Sequence, residues 1–376
     1  MKIGILTLPF NNNYGGYLQA YALMTVLKQM GHKVELINRR PNKRPYSMRL
    51  KFFIKSLMSF ILCKHPNRFI LDQEKDYKKK GINMHLFVGK YISPQTKPVY
   101  TSKQLRSYAS RYDVIIVGSD QVWRPEYVPN IGDFFLGFCE SNNTIKIAYA
   151  ASFGERNPKY SDSDRILCGN LLSQFDAIGL REESGKNVIK EFGWHIKGNA
   201  HIVLDPTMLL HRKHYESLLD ENGKETNYIF SYVLDESVEA EALLQYISDI
   251  LILPQQRIIS NNWKSIDYKM PSIESWLAGI READFVMTDS FHGTVFSIIF
   301  NIPFVVYVNA NRGADRFYSL LKTFGLESRI VANKYDIDEA IKAKINWNEV
   351  NAILAKEAAR AKMFLKNAIG QDKVKN

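Results

Sequence analysis

Three cysteines in 376 residues, Cys63, Cys139 and Cys168, are too few, too scattered and odd in number for a disulfide framework. No pair has the Cys-x-x-Cys spacing of a metal site, so no metal is expected and a reducing compartment is. No apolar run is long enough to span a bilayer. The opening run, residues 2–8, is too short for the core of a secretion signal and reads as a first strand. An arginine-rich tail and zinc-finger spacing are both missing, which places nucleic acid last among partners.

What is present has the balance of a folded protein, with 45% hydrophobic and 24% charged residues. The 20 Tyr and 21 Phe argue against disorder over most of the length. The length suggests two domains of ordinary size. A formal net charge of +11 favours anionic partners, either phosphorylated substrates or an acidic membrane surface.

Apolar runs and helical spacings alternate along the chain. After residues 2–8 comes a polar loop, 9–16. Leu18, Ala22, Leu23, Val26, Leu27 and Met30 then share one helical side, which Gly31 closes. A strand over 33–38 completes a strand–loop–helix–strand unit, the building block of a parallel sheet. Further strands are expected at 113–118, 145–151, 177–180 and 201–204. The polar stretch 211–226, with its Asn222-Gly223 turn signal, reads as a linker. Strands then follow at 228–233, 257–260, 285–288 and 304–308, with helices at 238–250, 273–283 and 294–300. The pattern predicts an α/β protein of two Rossmann-like domains in a GT-B-like arrangement, with a cleft between them. The expected bounds are 1–212 for the first domain and 213–349 for the second. A final helix in 350–376 is expected to pack back.

Residues 42–80 break this rhythm. Lys43, Arg44, Arg49, Lys51, Lys55, Lys64 and Arg68 are interleaved with Phe52, Phe53, Leu57, Phe60 and Leu62. Such a segment suits a helix lying on an anionic membrane surface, or equally a helix covering the sheet with its lysines in solvent.

The chemistry-bearing residues cluster after strands. Asn13-Tyr14-Gly15-Gly16 lies at a strand-to-helix turn, where glycines allow close backbone approach and a helix N-terminus attracts anions. A tight turn without a ligand is the plainer reading. Asp120, in Gly118-Ser119-Asp120-Gln121-Val122-Trp123, could bind sugar hydroxyls, act as a base, or cap a turn. Arg181-Glu182 could grip a carboxylate or phosphate, or form a surface ion pair. Asp205-Pro206-Thr207 reads as a structural turn. In Asp289-Ser290-Phe291-His292-Gly293-Thr294, His292 stands at a helix N-terminus, where it could serve as a general acid. Arg312 and Arg316 follow the next strand at the same sheet edge. With His292 they form a plausible site for a small, multiply charged anion.

Taken in order, NYGGYLQAYAL, GSDQVW, LREESG, DPTMLL and DSFHGTVFSI resemble the polysaccharide pyruvyl transferase family, from the first strand to about Arg329. The resemblance implies a GT-B-like fold and phosphoenolpyruvate as donor substrate, with no cofactor. It points to His292, to Arg312 as the basic residue after the next strand, and to Arg181. On this reading His292, Asp289 and Asp120 are the catalytic candidates. Arg181, Arg312, Arg316, Ser290, Gly293 and Thr294 are expected to bind the donor. Asn13, Tyr14, Gly15, Gly16, Asp120, Gln121 and Trp123 are expected on the acceptor side. The acceptor is expected to be a lipid-linked saccharide, and the enzyme to be cytoplasmic and peripheral at the inner face of the membrane. The rivals are a nucleotide-sugar glycosyltransferase and a non-catalytic protein of the membrane surface.

Overall fold

A computed structural model describes residues 1–42, 53–54, 57–58, 78–140, 143–219, 227–235, 237–258, 268–308 and 314–370. The chain opens with β1 (Lys2–Leu6) and α1 (Tyr14–Gln29). Asn13 starts α1, its side chain accepting from the amide of Gly15, so the helix begins at Tyr14 rather than at residue 17. Buried residues lie all around α1, as they must in a helix enclosed by a core. Next come β2 (Lys33–Leu36), α2 (Ile82–Tyr91), α3 (Ser102–Ala109) and β3 (Val114–Asp120). After them follow α4 (Ile131–Phe134), β4 (Ile145–Ala151), α5 (Asp162–Leu172), β5 (Ala177–Leu180), α6 (Ser184–Glu191) and β6 (Ala200–Ile202). All pairings among these strands are parallel, in the order β2-β1-β3-β4-β5-β6. Every residue of β3 and β4 is buried, because the sheet is covered on both faces.

A 3₁₀ turn (Pro206–Leu209) and α7 (Arg212–Glu216) lead onward, α7 occupying part of the expected linker. Asn222-Gly223 lies outside the described residues. The second unit runs β7 (Ile229–Tyr232), α8 (Val238–Leu251), β8 (Gln255–Arg257), α9 (Ile273–Arg281), β9 (Phe285–Thr288), α10 (Phe291–Phe300) and β10 (Phe304–Tyr307). It ends with α11 (Asp315–Phe324), β11 (Ile330–Val331), α12 (Lys334–Lys342) and α13 (Trp347–Ile369). Its strands are again all parallel, in the order β11-β10-β9-β7-β8. Read from the other edge, this repeats the winding of the first sheet's leading five strands.

Among the described residues three apolar cores hold the layers. One packs the outer face of the first sheet, around Trp123, Phe135 and Phe153. Another packs the outer face of the second, around Leu244, Ile247 and Met287. The largest runs through both units, joining α1 to α9 and α10 through Tyr14, Trp276 and Phe296. Tyr14 stacks on Trp276 at 5.2 Å between centroids, so the seam between the units is apolar and closely packed. Helix α13 runs from α11 back to the 3₁₀ turn and β4. There Phe364 lies 5.6 Å from the His201 ring and 6.3 Å from that of Tyr149.

Within the basic segment, Asn42, Phe53, Ile54, Leu57, Met58 and Lys78–Lys80 are described, and Ile54, Leu57 and Met58 are exposed. The remainder of 42–80, with its two competing readings, lies outside the described residues. Among the described residues no helix is long and apolar enough to cross a membrane.

Candidate active site

Parallel sheets bind ligands beyond their carboxyl ends, where neighbouring connections part in opposite directions. In the first sheet this point lies between β1 and β3, and in the second between β7 and β9. The loops leaving these points meet: Gly15, on α1, packs directly against His292, on α10.

The second unit builds the His292 turn from its neighbours. Ser290 caps α10, its hydroxyl accepting from the amide of Gly293 at 3.3 Å. Thr288 Oγ1 accepts from the Ser290 amide at 3.0 Å and donates to the Tyr232 carbonyl at 2.6 Å. Thr294 donates to the Ser290 carbonyl and is fully buried. A Cβ on Gly293 would stand 2.5 Å from Thr288 Oγ1, so only glycine fits there. Ser290, Gly293 and Thr294, expected on the donor, therefore shape the turn that presents His292.

His292 is itself buried, with Nε2 3.5 Å from Oδ2 of Asp205. Asp205 follows β6, and every one of its contacts is fixed. Oδ1 accepts from the Thr207 amide at 3.0 Å and hydroxyl at 2.7 Å, and Oδ2 accepts from Ser119 Oγ at 3.0 Å. Burial alone would raise this carboxyl, but His292 and Arg181 hold it well below the usual range.

Arg181 ends β5 among three carboxylates. Its Nη1 is 3.5 Å from Asp120 and 3.7 Å from Asp205, and its Nε is 3.5 Å from Glu182. Its guanidinium lies 4.4 Å from the centroid of the Phe291 ring, a cation–π distance. Burial alone would lower its pKa; Asp120, Glu182 and Asp205 overcome that and raise it. Arg181-Glu182 is thus a buried pair and not the surface pair considered above. Glu182 accepts from Ser152 Oγ at 2.6 Å, and burial pushes its carboxyl up.

Arg316 enters from the first turn of α11, its guanidinium 5.9 Å from the same Phe291 ring. Burial, reinforced by the charge of Arg181, holds it down at about 10. The start of α11 is tied to the first unit by Arg156, whose Nη2 is 2.6 Å from Asp315 Oδ1. Among the described residues, His292 Nε2, Arg181 Nε and Nη2, and Arg316 Nε are buried without a hydrogen-bond partner. Buried polar groups are ordinarily satisfied, each unmade bond costing about 1–3 kcal/mol. Arg181 and Arg316 come from different units and both guanidinium groups lie near the Phe291 ring.

The other candidates separate. Asp120 holds the end of β3 at φ 77°, with Oδ1 accepting from the Gln121 amide at 2.9 Å. Its Oδ2 makes no hydrogen bond among the described residues. Gln121 is held by Arg124 at 3.2 Å. Trp123 is a correction: it is fully buried, donates to the Phe134 carbonyl and stacks on Phe135 at 4.9 Å, so it belongs to the core. Tyr14 is a second correction, since it is fully buried and its hydroxyl donates to the Pro271 carbonyl across the seam. Asn13 is the cap of α1, and a Cβ on Gly16 would meet nothing within 4 Å. Asp289 accepts from the amides of Leu234 at 2.6 Å and Asp235 at 2.9 Å, which makes it a clamp on the loop after β7 and displaces it as a base. Arg312 lies outside the described residues. Asp205, read from the sequence as a structural turn, and Ser119 also join this cluster, Asp205 following the strand beside the one that Arg181 follows.

A family model described as polysaccharide pyruvyl transferase matches residues 13–311. No curated protein matches the chain. Among solved structures, the S. aureus MnaA–UDP co-structure is similar at 12% identity and TM-score 0.54, over 98% of this chain and 96% of that one. The Methanocaldococcus jannaschii UDP-GlcNAc 2-epimerase in complex with UDP-GlcNAc and UDP is similar at 13% identity and TM-score 0.52, over 97% and 100%. The glycotransferase of kitacinnamycin is similar at 11% identity and TM-score 0.50, over 98% and 97%. At these identities the likeness concerns the fold alone, and that fold is the GT-B arrangement.

Proposed function

Because the chain belongs to the polysaccharide pyruvyl transferase family, we propose that it moves the pyruvyl group of phosphoenolpyruvate onto two hydroxyls of a saccharide as a ketal, releasing phosphate. The observation that carries this reading is the pair of buried guanidinium groups, Arg181 and Arg316, about the ring of Phe291 beside His292, with nitrogens that make no hydrogen bond among the described residues. Phosphoenolpyruvate carries a carboxylate and a phosphate, and such a multiply charged anion needs several cations in a fixed array.

In the proposed sequence, His292 gives a proton to the methylene carbon, C3, and positive charge develops at C2. A sugar hydroxyl forms a bond to C2 and its proton passes to a carboxylate, for which Asp120 is the candidate. The bond from C2 to the bridging oxygen breaks, and phosphate leaves with the electron pair, its charge met by the guanidinium groups. The second hydroxyl adds to C2 and loses its proton, closing the ketal. The acceptor in this reading is a lipid-linked saccharide, and the enzyme works in the cytoplasm at the inner face of the membrane.

The test is release of phosphate from phosphoenolpyruvate in the presence of a panel of lipid-linked and aryl glycosides. Thermal shifts with phosphoenolpyruvate and with nucleotide sugars run alongside. Phosphate release together with stabilisation by phosphoenolpyruvate is the expected result. Stabilisation by nucleotide sugars alone, with no phosphate released, would replace this reading with a nucleotide-sugar glycosyltransferase.

A further inference from the structure

We infer that Arg156 is a positioning residue for Arg316: its ion pair with Asp315 ties the first turn of α11 to the first unit, at the separation that places Arg316 and Arg181 about the Phe291 ring. That these guanidinium groups take phosphoenolpyruvate rests on the pyruvyl-transfer reading. The tie itself does not.

Three observations support this. First, α11 begins without help from its own sequence. Its cap position is Ala314, which has no side-chain oxygen to offer the free amides of the first turn. Farther along, Phe317, Leu320, Leu321 and Phe324 are buried in the core shared by the two units. The turn that carries Arg316 is therefore the end at which this helix frays most readily.

Second, Arg316 and Arg181 are like charges. Both are buried, and their guanidinium groups lie 5.9 Å and 4.4 Å from the centroid of the Phe291 ring. After burial, the charge of Arg181 is what most holds the Arg316 guanidinium down, while Asp120 and Glu182 work against it. The repulsion between the two cations acts to part the start of α11 from the end of β5.

Third, the tie acts on the residue next to Arg316. Arg156 grips Asp315 with two nitrogens: Nε lies 2.7 Å and 2.8 Å from its two oxygens, and Nη2 lies 2.6 Å from Oδ1. Such a fork fixes direction as well as distance. Arg156 follows β4 by way of a bend at Gly154, where φ is 81°. In the same loop Ser152 accepts from the Gly154 amide at 3.0 Å and donates to Glu182, which stands 3.5 Å from Arg181 Nε. Loop 152–156 thus meets the Arg181 side of the cluster at one end and the Arg316 side at the other, and so sets the spacing of the two cations.

The experiment breaks the tie from its exposed side. The Arg156 side chain is 75% exposed, so Arg156→Gln removes the charge and disturbs no packing. The amides of Phe317 and Tyr318, which donate to the Ala314 carbonyl, report on the first turn. Their hydrogen exchange, read by mass spectrometry, should quicken about two- to fivefold in Arg156→Gln. Asp315→Asn should quicken it too, and the double variant should fall short of the product of the two effects. The Kd of phosphoenolpyruvate, by calorimetry, should rise about two- to fivefold in Arg156→Gln, because only the ordered fraction of the turn presents Arg316. Arg156→Lys keeps the charge and should restore most of both losses. Asp315→Asn separates positioning from simple charge. Removing a carboxylate beside an anion site would tighten binding electrostatically, whereas loss of the tie weakens it, so Kd should rise here as well. Exchange unchanged in both single variants, independent effects in the double, or a Kd that falls or stays level in Asp315→Asn overturns the inference. If the wild-type protein binds no phosphoenolpyruvate while exchange shifts as stated, the functional reading has failed and the tie has not.

Discussion

Gly15 and His292 are packed so closely across the two units that a methyl group on the glycine would stand 1.9 Å from Nδ1 of the histidine. Neither backbone nor ring can yield, since Gly15 is in the first turn of α1 and Asp205 stands at the other edge of the ring. Gly15→Ala should therefore cost about 1–3 kcal/mol of stability through overpacking, and it should lower turnover far more than Gly16→Ala does. Gly16, its immediate neighbour, has open space where a Cβ would go. Gly16→Ala should leave activity intact and stabilise the protein by about 0.5–1 kcal/mol, as alanine does within a helix. Chemical denaturation and steady-state rates on the pair check both outcomes.

The two buried guanidinium groups should respond differently to loss. Arg181 balances Asp120, Asp205 and Glu182, and Arg181→Leu leaves those carboxylates buried without it. Breaking such a buried arrangement costs about 3–5 kcal/mol. Arg316 is instead pressed by the charge of Arg181, which helps to hold it down at about 10. Arg316→Leu should change stability by less than about 1 kcal/mol in the absence of ligand, because burial already disfavours its charge. On the proposed reading it should also abolish the stabilisation expected from phosphoenolpyruvate. Denaturation curves with and without phosphoenolpyruvate distinguish the two residues; equal behaviour would refute this division of labour.

Asp120 and Asp289 carry the next contrast. Asp120→Asn should cut kcat by about 10²- to 10⁴-fold, the usual contribution of a general base, while the melting temperature changes little. Asp289→Asn weakens a clamp on the Leu234 and Asp235 amides. It should lower the melting temperature and leave the pH limbs of kcat in place. A shifted limb in Asp289→Asn would return Asp289 to the list of bases.

The strands were legible because parallel sheets bury both faces, and runs such as Val114–Val117 and Phe304–Val306 are branched or aromatic throughout. β11 was not, because two residues carry no periodicity. His292 and Arg181 could be singled out because each follows a strand and bears a charge-capable group, and the structure buries both. Asp205 escaped because Asp-Pro-Thr is also how a turn begins; only the placement of β6 beside β5 shows what it faces. Trp123 and Tyr14 were misassigned for a related reason. An aromatic ring in or just after a loop suits stacking on a sugar and filling a core equally well, and burial decides between them. The clamp made by Asp289 was not legible because its partners, the Leu234 and Asp235 amides, stand more than fifty residues away in the chain.

The return of α13 has a mechanical consequence. The chain passes from the first unit to the second before β7, and the last helix brings it back onto the 3₁₀ turn and β4. Two bodies joined at one point can swivel freely, whereas two bodies pinned at two points can only turn about the line between the pins. The second pin, together with the Tyr14–Trp276 stack, converts the connection from a tether into a clamp, so the fold itself and not the linker keeps His292 beside Asp205.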